Sequence, residues 1–175
     1  MQERCGEWIL GIDPGSARTG YALARFSGQR LIEAEMGTWS VQRSSDRSVS
    51  LARLAEQARS WLKGRSPAVA VVESLFHHKN ARSALVLSEA RGVLLATLGE
   101  AGIAVVEYSP ATVKKTICGF GGADKRQLRR ALVKTVPGVT PEQIEDLPED
   151  ASDALALVIC HHVHAAHRAL LGRSR

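Results

Sequence analysis

The first forty residues alternate between short apolar runs and turn-forming residues, a pattern typical of antiparallel strands. The apolar runs cover residues 8–13, 19–26 and 31–41. The first run stops at Asp-Pro-Gly and the second at Ser-Gly-Gln, and both tripeptides contain residues that favour tight turns. We therefore predict three strands joined as a meander.

From residue 51 onward the apolar positions follow a helical period. Residues 51, 54, 55, 58, 61 and 62 fall on one stripe of a helix that ends near Gly64. After Pro67, the continuous apolar run at 68–73 is typical of a strand covered on both faces. The remaining predicted elements, in chain order, are a helix at 81–99, a strand at 103–107, a short helix after Ser109-Pro110, and helices at 125–136 and 151–170.

This order of elements predicts an α/β fold with one mixed five-stranded sheet. Three antiparallel strands come first, parallel strands follow, and helices flank the sheet. The 175 residues are 45% hydrophobic and 23% charged, which is the composition of a globular domain. We expect a single domain over residues 1–175, with an extension at 1–7 and a tail at about 164–175 that need not be ordered.

The cysteines and the apolar runs limit where the protein acts. Cys5, Cys118 and Cys160 are an odd number without CxxC spacing, so neither a disulfide scaffold nor a zinc knuckle organises the fold. A cytoplasmic location is expected, with Cys118 and Cys160 as small buried hydrophobes.

The longest apolar runs fall short of the roughly 20 residues that span a bilayer, and residues 1–6 lack the apolar stretch of a secretory signal. No membrane partner is expected.

The net charge of +5 is the remainder of two strongly charged segments. Residues 113–134 contain seven lysines or arginines and one acid, whereas residues 142–153 contain six acids and no lysine or arginine. The two segments are either solvated faces of neighbouring helices, or a basic surface for phosphates beside an acidic site. The charge pattern alone leaves both interpretations open.

Four carboxylates stand at the ends of predicted elements. Asp13 and Glu73 each end an apolar strand, where a buried acid is costly unless it is paired or bound to a metal. Asp150 and Asp153 share one face at the start of the last helix, although aspartates there also cap helices. Each strand acid alone could also be a solvated residue that enters a loop.

These acids converge if the two strands are neighbours and the last helix packs over them. Carboxylates held that close raise each other's pKa unless a divalent cation lies among them. Oxygen ligands favour Mg²⁺ or Mn²⁺, and a pair of such ions is a common means of cleaving phosphodiesters. The basic segment would then hold the substrate.

Three segments resemble the RuvC family of Holliday-junction resolvases. They are ILGIDPGSARTGY at 9–21, VESLF at 72–76 with KN at 79–80 and ARG at 90–92, and DASDALA at 150–156. They occur in the family's order and spacing, and the resemblance runs from about Trp8 to His162. The match is loosest between residues 135 and 149.

The resemblance implies a ribonuclease H-like fold and a homodimer that nicks two strands of a four-way DNA junction symmetrically, in recombination and repair. The family needs Mg²⁺ or Mn²⁺, with two ions expected per active site, and leaves 5′-phosphate and 3′-hydroxyl ends. The RuvA and RuvB branch-migration proteins are implied as partners. Carried over by position, the catalytic metal ligands are Asp13, Glu73, Asp150 and Asp153, and the further catalytic residues are Lys114 and Lys125.

Aromatic and basic residues near these positions are predicted to contact DNA: Phe76, Lys79, Arg82, Lys115, Phe120, Arg126 and Arg129. Phe76 could instead pack in the core, and each of the two catalytic lysines could be a solvated helix residue. The glycine loop at 119–122 is either a DNA-contacting lid or only a loop. On the helix at 81–99, the apolar residues exceed one buried stripe and are candidates for the dimer contact: Ala84, Leu85, Leu87 and Leu95.

Other functions fit parts of the sequence. Residues 11–16 also resemble the first phosphate loop of actin-like and sugar-kinase ATPases, which need two lobes around the nucleotide. A related group of RNA-processing nucleases is a nearer alternative, although the Asp150 and Asp153 pair argues against it. A junction-binding protein without catalysis would keep the basic face and lose the acids. A zinc site is a further alternative at the C-terminal histidines, although helical spacing places only some of them on one face: His161, His162, His164 and His167.

Overall fold

Five strands form one mixed sheet in the order β3-β2-β1-β4-β5. The computed structural model describes residues 6–15, 17–40, 44, 46–74 and 81–172. The strands are β1 (Ile9–Asp13), β2 (Arg18–Ser27), β3 (Arg30–Ser40), β4 (Val69–Glu73) and β5 (Ala104–Tyr108). β1 pairs antiparallel with β2 and parallel with β4, β2 pairs antiparallel with β3, and β4 pairs parallel with β5. The predicted mixed sheet is confirmed.

The helices are α1 (Arg47–Leu62), α2 (Ala81–Glu100), α3 (Pro110–Cys118), α4 (Lys125–Thr135), α5 (Pro141–Glu145) and α6 (Glu149–Gly172). Side chains before four of them accept hydrogen bonds from the first turn: Asp46 for α1, Ser109 for α3, Asp124 for α4 and Thr140 for α5. Such caps fix where a helix begins, because they satisfy amide groups that lack a partner within the helix.

Two differences from the predicted elements concern α5 and α6. The sequence pattern did not predict α5, a single turn capped by Thr140. We expected a tail that need not be ordered from about residue 164, but α6 remains helical through Gly172. Residues 1–5 and 173–175 lie outside the described part of the chain.

Alternate residues of the central strands face two separate apolar layers. Leu10, Ile12 and Val72 pack beneath α1 and α2, whereas Ile9 and Val71 face the layer that contains α6. This is the period-two alternation of a strand that is covered on both faces.

The central helix of the second layer is α6. Its length and hydropathy over Glu149–Leu171 would suffice to cross a bilayer. However, its residues 154–160 are almost fully buried and belong to the apolar layer against the sheet. This burial identifies α6 as a core helix.

Candidate active site

Two strand glycines allow the start of α6 to lie directly against the sheet. A Cβ atom on Gly11 would lie 2.1 Å from the carbonyl oxygen of Ala154, and one on Gly20 would lie 1.9 Å from that of Asp150. No real side chain tolerates such distances, so the backbones approach this closely only because both residues are glycine. The first turns of α6 are therefore placed beside the end of β1.

The four predicted acids lie at the meeting point of β1, β4 and α6. Ile12 of β1 pairs with Val72 of β4, and the next residue on each strand is the acid, Asp13 or Glu73. On the other side of β1, Asp13 pairs with Gly20, which contacts the backbone of Asp150. The expected arrangement of the elements, two neighbouring strands with the last helix packed over them, is confirmed.

The electrostatics of Asp13 reflect how closely the acids are placed. The pKa of Asp13 is raised to about 8, mainly by burial and also by the negative charges of Asp153, Glu73 and Asp150, while Lys125 acts in the opposite direction. Burial and the charge of Asp153 also raise the pKa of Glu73. The pKa of Asp153 is raised mainly by burial. Carboxylates with pKa values raised in this way are typical of sites that bind cations or transfer protons.

Two lysines supply positive charge at the edge of this cluster. The Lys125 Nζ atom, at the start of α4, lies 3.5 Å from Asp153 Oδ2 and 3.2 Å from Glu149 Oε2. Burial opposes protonation of Lys125, but Asp153 and Glu149 outweigh it and raise its pKa. Lys114 of α3 lowers the pKa of Glu73 by its charge. Both lysines that the sequence singled out therefore act on acids of the cluster, Lys125 by contact with Asp153 and Lys114 by its charge effect on Glu73.

The donor set of the cluster fits a hard divalent cation. The four acids offer only carboxylate oxygens, which Mg²⁺ and Mn²⁺ prefer, and a cation among them would relieve the repulsion that raises the pKa of Asp13. As the side chains are placed, no three His, Cys, Asp or Glu side chains among the described residues form a group that could hold an ion.

Residues 9–161, which contain all four acids and both lysines, match the family model of the crossover junction endodeoxyribonuclease RuvC. The chain belongs to the RuvC family. The RuvC protein of Chloroflexus aurantiacus is 39% identical over 152 residues, which cover 87% of this chain and 90% of that protein. The RuvC protein of Desulfitobacterium hafniense is 36% identical over 153 residues, with 87% and 90% of the two chains covered.

Solved structures show the same fold. The structure of Thermus thermophilus RuvC in complex with a Holliday junction substrate superposes with a TM-score of 0.73 and 26% identity, covering 91% of this chain and 94% of that one. The yeast mitochondrial Holliday junction resolvase Ydc2 shares the fold at 15% identity and a TM-score of 0.66, covering 87% of this chain and 76% of that one. The RuvC fold is ribonuclease H-like, as the sequence resemblance implied.

Not all residues that were predicted to contact DNA can be located. Phe76 and Lys79 lie outside the described residues, and so does the side chain of Arg82, which belongs to the first turn of α2. Lys115 is exposed on α3, and Phe120 is half exposed just beyond Gly119, which ends α3 in the left-handed conformation. The proposed DNA contacts of these five residues therefore stay predictions.

The two arginines predicted on α4 have different environments. Arg126 is exposed. The guanidinium of Arg129 instead donates hydrogen bonds to the backbone carbonyls of Ile144 and Leu147 and to Ser152 Oγ. Arg129 therefore joins α4 to the α5–α6 connection, a structural role that the charge pattern did not suggest.

Sequence reasoning assigned no role to Arg91, although it lies in the ARG segment of the RuvC resemblance. From α2, its Nη2 atom lies 2.7 Å from Glu107 Oε1, and its Nε donates to the backbone carbonyl of Glu73 at 3.3 Å. Arg91 thereby links the adjacent ends of β4 and β5. The only sequence feature that could have indicated this role is the position of Arg91 between two small residues, Ala90 and Gly92, on a predicted helix.

The C-terminal histidines make separate tertiary contacts. His162 Nε2 donates to the Gly28 carbonyl at 2.8 Å, and its ring stacks on Phe26 with centroids 3.9 Å apart. His164 Nε2 lies 3.1 Å from Thr116 Oγ1. Burial lowers the pKa of His161 and of His162, which favours their neutral forms. These contacts explain His162 and His164 as parts of the packing between α6 and its neighbours.

Proposed function

We propose that this chain is a crossover junction endodeoxyribonuclease that resolves four-way Holliday junctions. It nicks two strands symmetrically during recombination and repair and leaves 5′-phosphate and 3′-hydroxyl ends. The observation that carries this proposal is the convergence of Asp13, Glu73, Asp150 and Asp153 beside Lys125, in a chain that matches the RuvC family model. RuvC relatives carry this activity in their name, and a RuvC structure contains the junction substrate.

The acids act by holding divalent cations against the scissile phosphate. We propose that the ions are Mg²⁺ or Mn²⁺, two per active site, with all four acids in their coordination. Such ions activate a water molecule and stabilise charge on the leaving 3′-oxygen. The end of β1 orients Asp13, and the first two turns of α6 orient Asp150 and Asp153.

The two lysines bring positive charge to the phosphate that the acids alone would repel. Lys125 lies within hydrogen-bonding reach of Glu149 and contacts Asp153, so its ammonium group is held at the edge of the cluster. Lys114 approaches from α3, near Glu73. We assign both to contacts with phosphate oxygens, where preorganised cations stabilise developing negative charge.

Symmetric cleavage of two strands needs two active sites, and we propose that a homodimer supplies them. Leu85 on α2 is 61% exposed, which supports the earlier assignment of this helix to the dimer contact, because a large exposed apolar side chain favours burial against a partner. RuvA and RuvB are proposed as partners from the family resemblance.

One experiment tests the proposed function. The protein is incubated with a synthetic four-way junction and with a duplex of matched sequence, each with Mg²⁺ and each with EDTA. We expect paired nicks at symmetric positions in the junction, no nicks in the duplex, and no activity with EDTA. Cleavage of structured RNA in place of the junction would support the RNA-processing alternative. Junction binding without any nicking in Mg²⁺ or Mn²⁺ would indicate a non-catalytic binding protein.

A further inference from the structure

Several arginines on elements other than α4 are neutralised by a nearby acid. Five arginine–glutamate pairs are formed: Arg25–Glu33, Arg47–Glu89, Arg59–Glu100, Arg65–Glu35 and Arg91–Glu107. By contrast, Arg126, Arg130 and Lys134 of α4 have no ion partner within the described part of the chain. The charge of α4 is therefore available to an anion outside the protein.

These three cations form a regular stripe that starts beside the active site. They stand at i, i+4 and i+8 of α4 and are exposed, so successive charges lie about 6 Å apart along the helix axis. The stripe begins one residue after Lys125, whose ammonium group contacts Asp153. It thus leads away from the acid cluster along one face of α4.

A groove of about 330 Å³ runs beside the stripe, between α4 and α5. Its apolar residues are Val133, Pro141 and Ile144, and all three cations of the stripe line it. Glu145 lines the opposite wall without pairing with any of the three cations. The groove therefore has one wall of unpaired positive charge and one acid that faces it.

We propose that Arg126, Arg130 and Lys134 form a track for the sugar-phosphate backbone of the DNA strand that leaves the active site. The track deepens the proposed function and rests on it, because it presupposes junction DNA at the acid cluster. Three cations at regular spacing match a polyanion with regularly spaced charges, and phosphate contacts of this kind set position without reading sequence. The track orients the junction arm so that the scissile phosphate meets the four acids.

The test replaces the stripe and a matched set of cations elsewhere. One variant carries Arg126→Gln, Arg130→Gln and Lys134→Gln, and the control carries Arg30→Gln, Arg59→Gln and Lys63→Gln, which removes the same charge from other faces. Junction affinity is measured in Ca²⁺ over a series of salt concentrations, and the melting temperature is measured in parallel. Each phosphate contact contributes about 0.9 to the magnitude of the slope of log affinity against log salt concentration. The slope of the stripe variant should therefore be shallower than that of the wild type by about two to three. The control should keep the slope of the wild type.

A second substitution is expected to strengthen junction binding, whereas the stripe variant weakens it. If DNA follows the groove, Glu145→Gln removes a repulsive charge and should tighten junction binding several-fold at low salt. Glu56→Gln, on the exposed face of α1, serves as the control and should change affinity much less. Equal salt slopes for the stripe variant and the wild type, or equal effects of Glu145→Gln and Glu56→Gln, would overturn the track. Failure of the wild type to nick junctions would instead contradict the proposed function, so the two results are distinguishable.

Discussion

Gly20 lies directly against the backbone of Asp150: a Cβ atom on Gly20 would stand 1.9 Å from the Asp150 carbonyl oxygen. Gly20 also pairs with Asp13 across the sheet. The distance between the acids of α6 and the acid of β1 is therefore set by a residue that carries no chemistry. It depends on the absence of a side chain at one strand position.

Replacement of Gly20 by alanine should consequently impair both the fold and the site. The added methyl group must push α6 away from β2, and overpacking of this kind costs about 1–3 kcal/mol. We expect a lower melting temperature and loss of junction nicking, measured by thermal circular dichroism and by gel assay. Gly99→Ala is the matched control, because a Cβ there meets nothing within 4 Å and alanine suits a helix. Wild-type stability and nicking by Gly20→Ala would refute this account of how α6 is placed.

The sequence pattern was sufficient for the order of strands and helices along the chain, and it singled out the four acids that the structure brings together. Periods of two and 3.6 residues reveal which faces are buried, and all five strands were found with bounds within one or two residues of the structure. The acids were recognisable because Asp13 and Glu73 interrupt apolar runs. The RuvC resemblance, carried by short motifs, named the same positions.

Features that depend on a single long-range contact could not be predicted in this way. Helix α5 has five residues, too few for an apolar period, although Pro141 and the reciprocal cap of Thr140 and Gln143 were signals of a helix start. The inward hydrogen bonds of Arg129 are also invisible in the sequence, where it is one more cation of a basic run. Pairing partners far apart in the chain have no periodic signature.

Asp13→Asn should abolish nicking and preserve junction binding. The substitution keeps the shape of the side chain and removes the negative charge that, by the proposed function, helps to hold divalent cations. Since Asp13 is buried among like charges, the amide should also raise the melting temperature of the metal-free protein at pH 8. Nicking, junction affinity in Ca²⁺ and melting temperature are measured, with Glu56→Gln as the surface control. Nicking by Asp13→Asn at the rate of the wild type in Mg²⁺ would remove Asp13 from the catalytic set.

The stability of the metal-free protein should depend on pH through Asp13. The folded pKa of about 8 lies above the ordinary value of 3.8 for an aspartate, so between these pH values the folded state holds a proton that the unfolded state has lost. The stabilising contribution is therefore present at low pH and is lost as pH rises toward 8, by up to about 1.4 kcal/mol per pH unit. His161 and His162, whose pKa values are lowered, act in the opposite direction below about pH 6.5.

The contribution of His161 and His162 to the pH dependence of stability cancels when the wild type is compared with Asp13→Asn. We expect the free energy of unfolding of the wild type, relative to Asp13→Asn, to fall between pH 6.5 and pH 8 in EDTA. Mg²⁺ should reduce this fall, because it stabilises the ionised acids. Urea unfolding at several pH values measures the difference. A pH-independent difference between the two proteins would show that Asp13 is not protonated in the folded state.

Arg91 should act as a positioning residue for Glu73. It donates to the Glu73 carbonyl at 3.3 Å and pairs with Glu107 at 2.7 Å. The Arg91 side chain is 13% exposed, whereas that of Glu107 is 46% exposed, so solvent screens the ion pair more than the hydrogen bond to Glu73. Arg91→Gln releases the end of β4 and should lower nicking at limiting Mg²⁺ by about tenfold, the usual cost of losing an outer-shell partner of a metal site. Raised Mg²⁺ should recover much of the rate, whereas junction affinity in Ca²⁺ should not change.

Arg59→Gln is the matched control for Arg91→Gln. Arg59 also pairs with a glutamate, Glu100, but both side chains are more than half exposed, and such surface pairs contribute little. We expect it to nick at the wild-type rate with an unchanged Mg²⁺ requirement. Arg91→Lys, which keeps the charge but not the forked pair of donors, should fall between the wild type and Arg91→Gln. A loss of stability in Arg91→Gln with an unchanged Mg²⁺ requirement would assign Arg91 to the fold alone and remove it from the positioning of Glu73.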